Sequence, residues 1–262
     1  MDVVRTSIAA GLARITINRP EKRNALDRAT VVELTAALER CERDPGVRVV
    51  QITGAGDVFC AGADLAEMQA QRDAGEDDNL ANAARLTTLL GTLDALSKPT
   101  LARVNGDGYG GAIGLLGACD IVIAAVDAKF AFTEVRLGII PAVISPFVLA
   151  KIGESAARRY FLTAETLTAE RLKDMRLVHE VAPAGELDRR CEQMVEALLL
   201  AAPGALAEAK RLIRDVARAT EDRTAISADM ARRLSRLRVQ AEAQEGFRAF
   251  FERRKPGWAT PP

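Results

Sequence analysis

The sequence holds a single histidine, His179. That scarcity excludes any multi-histidine metal site, and no metal centre is expected. It also disfavours a serine or cysteine triad, whose base would have to be this one residue. His179 stands in Arg176-Leu177-Val178-His179-Glu180-Val181, a stretch that reads as a strand, so a structural role is expected. Cysteine is sparse as well. Cys41, Cys60, Cys119 and Cys191 lie far apart and form no CxxC pair, which predicts buried free thiols. Charge of either sign is not in excess: 36 Lys and Arg balance 36 Asp and Glu, so neither nucleic acid nor an acidic membrane is an expected partner. No apolar run approaches the ~20 residues that span a bilayer. Residues 1–6 lack the basic and apolar regions of a signal peptide, and a cytoplasmic location is expected.

What is present suits a globular chain. Its 262 residues are 48% hydrophobic and 27% charged, enough for a large core. Strands alternate with helices up to residue 181, which gives the α/β class. Residues 3–17 read as a hairpin broken at Gly11, and Asp27 as the cap of a helix buried along Val31, Leu34, Leu38 and Cys41. A strand covers 47–53. Residues 71–82 are polar and unpatterned, so a mobile segment is expected there before helix resumes at Ala83. Helices are expected at 145–152 and 155–162 and, from Glu186 onward, at four further places. The composition shift divides the chain into a core, 1–184, and a helical C-terminal region, 185–262.

The chain is organised around Asn105-Gly106-Asp107-Gly108-Tyr109-Gly110-Gly111, which follows the apolar strand 99–104 and precedes the apolar helix 111–118. Glycines at a strand-to-helix turn let a ligand approach the backbone, and free N–H groups at a helix start favour negative charge. Gly106-x-Gly108-x-x-Gly111, with Asp127 downstream, also fits a dinucleotide fingerprint. That reading leaves a second small-residue segment, Cys60-Ala61-Gly62-Ala63-Asp64, unexplained. Taken together, the two segments offer two backbone N–H groups, the makings of an oxyanion hole for a carbonyl such as a thioester. Asp64 suits the cap of a short helix from Leu65.

With these motifs, the chain resembles the enoyl-CoA hydratase/isomerase, or crotonase, superfamily. Asn18-Arg19-Pro20 with Asn24-Ala25-Leu26, Phe59 to Leu65, Asn105 to Asp120, Phe132-Thr133-Glu134 to Pro141, and Gly246 to Pro256 all carry the likeness. The resemblance implies a crotonase-like spiral of ββα units with a helical trimerisation region. It further implies acyl-CoA thioester substrates, no cofactor beyond the coenzyme A of the substrate, and a homotrimer or homohexamer. It assigns the oxyanion hole to the N–H groups of Ala63 and Gly111. It lines the CoA channel with Ala61, Gly62, Ala63, Asp64, Leu65 and Ala66, and with Arg23 and Ala25. Lys255 is a further candidate for a CoA phosphate, contributed from a neighbouring subunit.

One feature departs from the best-known hydratases of the family, which use two glutamates. Here Gly114 stands at the first position and Glu134 alone remains; an aspartate position of the dienoyl-CoA isomerases is Ala142. Glu134 is therefore the expected catalytic residue, with a pKa raised by a partly apolar pocket. Residues 134–138, 144–146 and 157–165 resemble a subgroup assigned to branched or glutaconyl-type enoyl-CoAs. Hydration is favoured on that basis. Double-bond isomerisation by the same glutamate, or acyl-CoA binding without turnover, are the alternatives. Tyr109 is open to either acyl-pocket lining or core packing.

Overall fold

The computed structural model describes residues 2–183, 185–220 and 222–259. Its centre is a six-stranded sheet. A hairpin of β1 (Val4–Ala9) and β2 (Leu12–Ile17) turns at Ala10 and Gly11, and parallel strands β3 (Val49–Gly54), β4 (Thr100–Val104), β6 (Ile121–Ala125) and β9 (Glu180–Ala182) extend it in that order. A second sheet of three short strands sets β7 (Lys129–Ala131) between β5 (Gly108–Tyr109) and β8 (Leu167–Thr168).

Helices fill the intervals: α1 (Arg28–Arg43), α2 (Leu65–Arg72), α3 (Glu76–Ala95), α4 (Gly111–Ala118), α5 (Ser145–Thr163) and α6 (Ala169–Asp174). Four more close the described chain: α7 (Leu187–Leu200), α8 (Pro203–Arg218), α9 (Arg223–Arg238) and α10 (Ala241–Phe251). Parallel strands need such crossovers, and their sheets bury both faces. Successive residues show it. Val50, Ala102 and Val122 point into the main core with α1, α3 and α4, whereas Val49, Leu101 and Ile123 face Leu187, Cys191 and Val195 of α7.

Most sequence expectations hold. The hairpin, the Asp27 cap and the buried stripe of α1 are as expected, and all four cysteines are buried and free. His179 Nδ1 accepts from Val122 N–H at 3.1 Å and joins β6 to the start of β9, a structural role. The two helices expected at 145–162 are one element kinked at Gly153. One expectation needs correction. Helix α3 begins at Glu76, inside the segment expected to be unpatterned, because Glu76, Asp77 and Asp78 in its first turn complement the helix dipole without any apolar stripe. The division drawn at 184 falls on Ala184, outside the described residues; α7, just beyond it, packs on the sheet through a core of its own.

Candidate active site

The site is built from three backbone segments laid side by side. Arg23 O accepts from Ala61 N–H at 2.9 Å, and Leu26 brackets Ala63 by donating to Gly62 O at 2.7 Å and accepting from Asp64 N–H at 3.2 Å. On the other side, Cys60 N–H donates to Asp107 O and Cys60 O accepts from Tyr109 N–H, both at 3.1 Å. So residues 60–63 run as a pseudo-strand between 23–26 and 107–109. This ladder leaves Ala63 N–H without an acceptor among the described residues. Gly62 is needed in it. Its φ is +85°, and a Cβ there would stand 2.6 Å from Tyr109 O.

Side chains brace the frame from outside. Asn24 is fully buried; its Oδ1 accepts from Arg19 N–H and its Nδ2 donates to Ala55 O and Val58 O. Asn105 does the same one strand over, accepting from Gly54 N–H and donating to Gly56 O. These roles for Asn24 and Asn105 went unassigned in the sequence, although both residues stand in the quoted motifs. Asp64 accepts from Ala66 N–H and from Arg19 Nη2, both at 2.9 Å, so it is the helix cap foreseen for it. Burial alone would raise its pKa, but the Ala66 N–H and the Arg19 guanidinium outweigh that and hold it below the usual carboxylate value.

The second segment enters helix α4. Gly110 N–H donates to Ala131 O at 3.1 Å, through the pairing of β5 with β7. That contact brings the residues just after β7, and with them Glu134, beside Gly110. Glu134 opens a 3-10 turn, Glu134–Leu137. Gly110, at φ +49°, leaves room for its carboxylate: a Cβ there would sit 3.2 Å from Glu134 Oε1. Glu134 Oε2 is buried and has no hydrogen-bond partner among the described residues. Desolvation pushes its pKa above the ordinary 4.5, against a smaller opposing effect of its own N–H. Gly111 is the first residue of α4, so its N–H has no acceptor within the helix.

The side of α4 beyond Gly111 is closed to a second acid. A Cβ at Gly114 would lie 2.5 Å from Ile144 Cγ2 and 3.0 Å from Leu90 Cδ1. Both side chains are buried. Ala142 is exposed. The remaining expected residues divide. Leu65 and Ala66 are exposed at the start of α2, Ala25 is buried, and Arg23 is exposed with a 3.4 Å contact to Asp107. Tyr109 turns its hydroxyl to Asp107 Oδ2 at 3.1 Å. Lys255 is exposed after α10, and no described contact within this chain joins it to the site.

A bare, desolvated carboxylate beside free N–H groups can move a proton next to a carbonyl that is gaining negative charge. The chain is also similar to known proteins. Residues 7–261 match the family model described as enoyl-CoA hydratase/isomerase. The enoyl-CoA hydratase AKT6-1 of Alternaria alternata is 34% identical over 94% of this chain and 80% of its own length. The crystal structure of an enoyl-CoA hydratase from Shewanella pealeana is 36% identical and superposes with a TM-score of 0.94, covering 98% of this chain and 96% of that one. AtuE of Pseudomonas aeruginosa is 37% identical with a TM-score of 0.93, over 98% of this chain and all of its own. Fold, site geometry and these likenesses lead to one conclusion: this chain belongs to the enoyl-CoA hydratase/isomerase family, and its fold is the crotonase fold.

Proposed function

We propose that this protein is an enoyl-CoA hydratase that adds water across a 2-enoyl-CoA thioester with Glu134 as its single catalytic carboxylate. The observation that carries the proposal is the buried, unpartnered Oε2 of Glu134 against Gly110, at the entrance of α4. Glu134 takes a proton from water as the water oxygen bonds to C3. The double-bond electrons pass to the thioester oxygen, where the Ala63 and Gly111 N–H groups receive the negative charge. Glu134 then returns the proton to C2, which yields the 3-hydroxyacyl-CoA. Each such N–H donor contributes about 3–4 kcal/mol in comparable sites. Ala61, Gly62, Leu65, Ala66, Arg23 and Ala25 line the CoA channel in this reading, Asp64 shapes it as a cap, and Lys255 serves a neighbouring copy. Coenzyme A enters with the substrate, and no resident cofactor is part of the proposal.

A homotrimer or homohexamer in the cytoplasm completes the reading. Its support is the apolar surface on the last helices, where Ile213, Val239, Phe250 and Phe251 are 65–79% exposed in the single chain. The division into a core of 1–184 and a helical region of 185–262 belongs to the same proposal.

One observation favours a second reaction. With Ile144 and Leu90 filling the space beside Gly114, a single base is left, and a single base suffices to carry a proton between C4 and C2 in Δ3,Δ2-enoyl-CoA isomerisation. The test is an assay of wild type and Glu134→Gln with crotonyl-CoA, 3-methylglutaconyl-CoA and a 3-enoyl-CoA. Glu134-dependent loss of the conjugated thioester absorbance is the expected result. A gain from the 3-enoyl-CoA alone would make the protein an isomerase, and no Glu134-dependent change would overturn both.

A further inference from the structure

Helix α5 breaks at Gly153, whose φ of 72° and ψ of 168° lie outside the helical region. Between the two halves of α5 and the facing α6 lies a cavity of about 640 Å³. Four cations line it, Lys151, Arg159, Arg171 and Arg176, against one carboxylate, Asp174. A Cβ on Gly153 would meet nothing within 4 Å, so the kink opens onto free space.

The partners of these groups sort them. Lys151 Nζ donates to Cys119 O, and Arg159 is held by Glu165 at 2.7 and 3.0 Å. Arg171 Nε donates to Tyr160 Oη at 2.6 Å and leaves Asp174 at 3.6 Å. Tyr160 is 2% exposed, and because its oxygen accepts from Arg171, its hydroxyl hydrogen remains to be donated. The guanidinium of Arg176 has no partner among the described residues. Arg176 also adopts φ +67°, a conformation that costs a side-chain-bearing residue roughly 1 kcal/mol or more. Two arginine forks, a lysine and a phenol therefore border one cleft in which positive charge exceeds negative.

We propose that this cavity is a binding site for a small molecule bearing a di- or triphosphate group, separate from the acyl-CoA channel. Guanidinium forks match phosphate oxygens in pairs, and the strained Arg176 supplies the one fork that the protein does not itself engage. The first half of α5 packs Phe147 and Val148 on Gly117 of α4. The occupant would thus sit at the far end of the helix that backs the Gly111 donor.

The experiment titrates inorganic pyrophosphate, ADP and sulfate into the full chain by calorimetry at matched ionic strength. Pyrophosphate and ADP are expected to bind more tightly than sulfate. Arg176→Gly, which relieves the strained φ, is expected to weaken pyrophosphate at least tenfold while the thermal midpoint holds or rises. Arg176→Asn, which tolerates the same backbone, is a second variant with the same expectation. Arg23→Ala, on the CoA channel, is expected to leave pyrophosphate binding unchanged. Sulfate binding as tightly as pyrophosphate, or both Arg176 variants binding within twofold of wild type, would overturn the proposal. Loss of binding in Arg23→Ala would assign the phosphate to the CoA channel and overturn it equally.

Discussion

Two corners of the site each present a carboxylate, and they differ in almost every other respect. At one corner Asp64 caps α2, pairs with Arg19, and lies below its usual pKa. At the other corner Glu134 keeps a buried oxygen with no partner and lies above its own. The contrast separates structure from chemistry. A satisfied carboxylate stabilises the fold and has no capacity left for a proton. A desolvated, unsatisfied one costs stability and holds that capacity in reserve.

The sharpest way to break the contrast is Glu134→Gln. It should lower kcat with crotonyl-CoA by about 10³-fold, roughly 4 kcal/mol of barrier, while the thermal midpoint stays level or rises. The sign follows from linkage. A carboxyl whose folded pKa is raised favours folding most below its unfolded value, and that contribution is lost as pH rises through the folded pKa, so removing the charge removes a cost at neutral pH. By the same shift, the acid limb of kcat/KM in wild type should lie above pH 4.5.

Asp64→Ala should act the other way round. Breaking this nearly buried pair together with a helix cap should cost about 3 kcal/mol of stability by denaturant unfolding. Turnover per folded molecule should fall by less than tenfold. Asp64 contributes stability above its unfolded pKa that is lost as pH falls through its depressed folded value. An Asp64→Ala variant that folds normally yet loses turnover as Glu134→Gln does would erase the distinction.

Gly114→Ala probes the closed side. Its new methyl would meet Ile144 at 2.5 Å, and overpacking of this kind should cost about 2 kcal/mol. Combined with Ile144→Ala, which removes the Cγ2 at that contact, Gly114→Ala should lower the thermal midpoint by less than the two single changes added together. The smallest effect belongs to Arg23→Ala. Its contact with Asp107 is long and exposed, so stability should change by less than about 0.5 kcal/mol. The CoA-channel assignment predicts a several-fold rise in KM with little change in kcat.

The elements that announce themselves in the sequence are those with local causes. The hairpin follows from Gly11, α1 from Asp27 and its apolar stripe, and α4 from an apolar run behind paired glycines. Glu134 and the two proposed N–H donors emerge only from motifs read together, because no periodicity connects 63, 111 and 134. In the small sheet, Lys129 to Phe132 reads as a short strand and matches β7, whereas β5 and β8 leave no trace, since strands of two residues carry too little pattern. The early start of α3 was hidden because its first turns are exposed and polar. The packing of Ile144 and Leu90 against Gly114 is a meeting of α3, α4 and the start of α5, and only the fold reveals it.

The bracketing of Ala63 by Leu26 has a consequence for how this enzyme's loss of function would be mapped. Both proposed oxyanion donors are main-chain groups, one held by a ladder between segments and the other by the start of a helix. Neither belongs to any side chain. An alanine scan through the site would pass over Ala63 by definition, would fill space at Gly111 without deleting its N–H, and would disturb the donors only indirectly, through the crowded Gly62 and Gly110. Half of the proposed catalytic apparatus is thus written in the path of the chain, where a side-chain exchange at 63 leaves the donor in place and only a change of course, such as proline at 63, erases it.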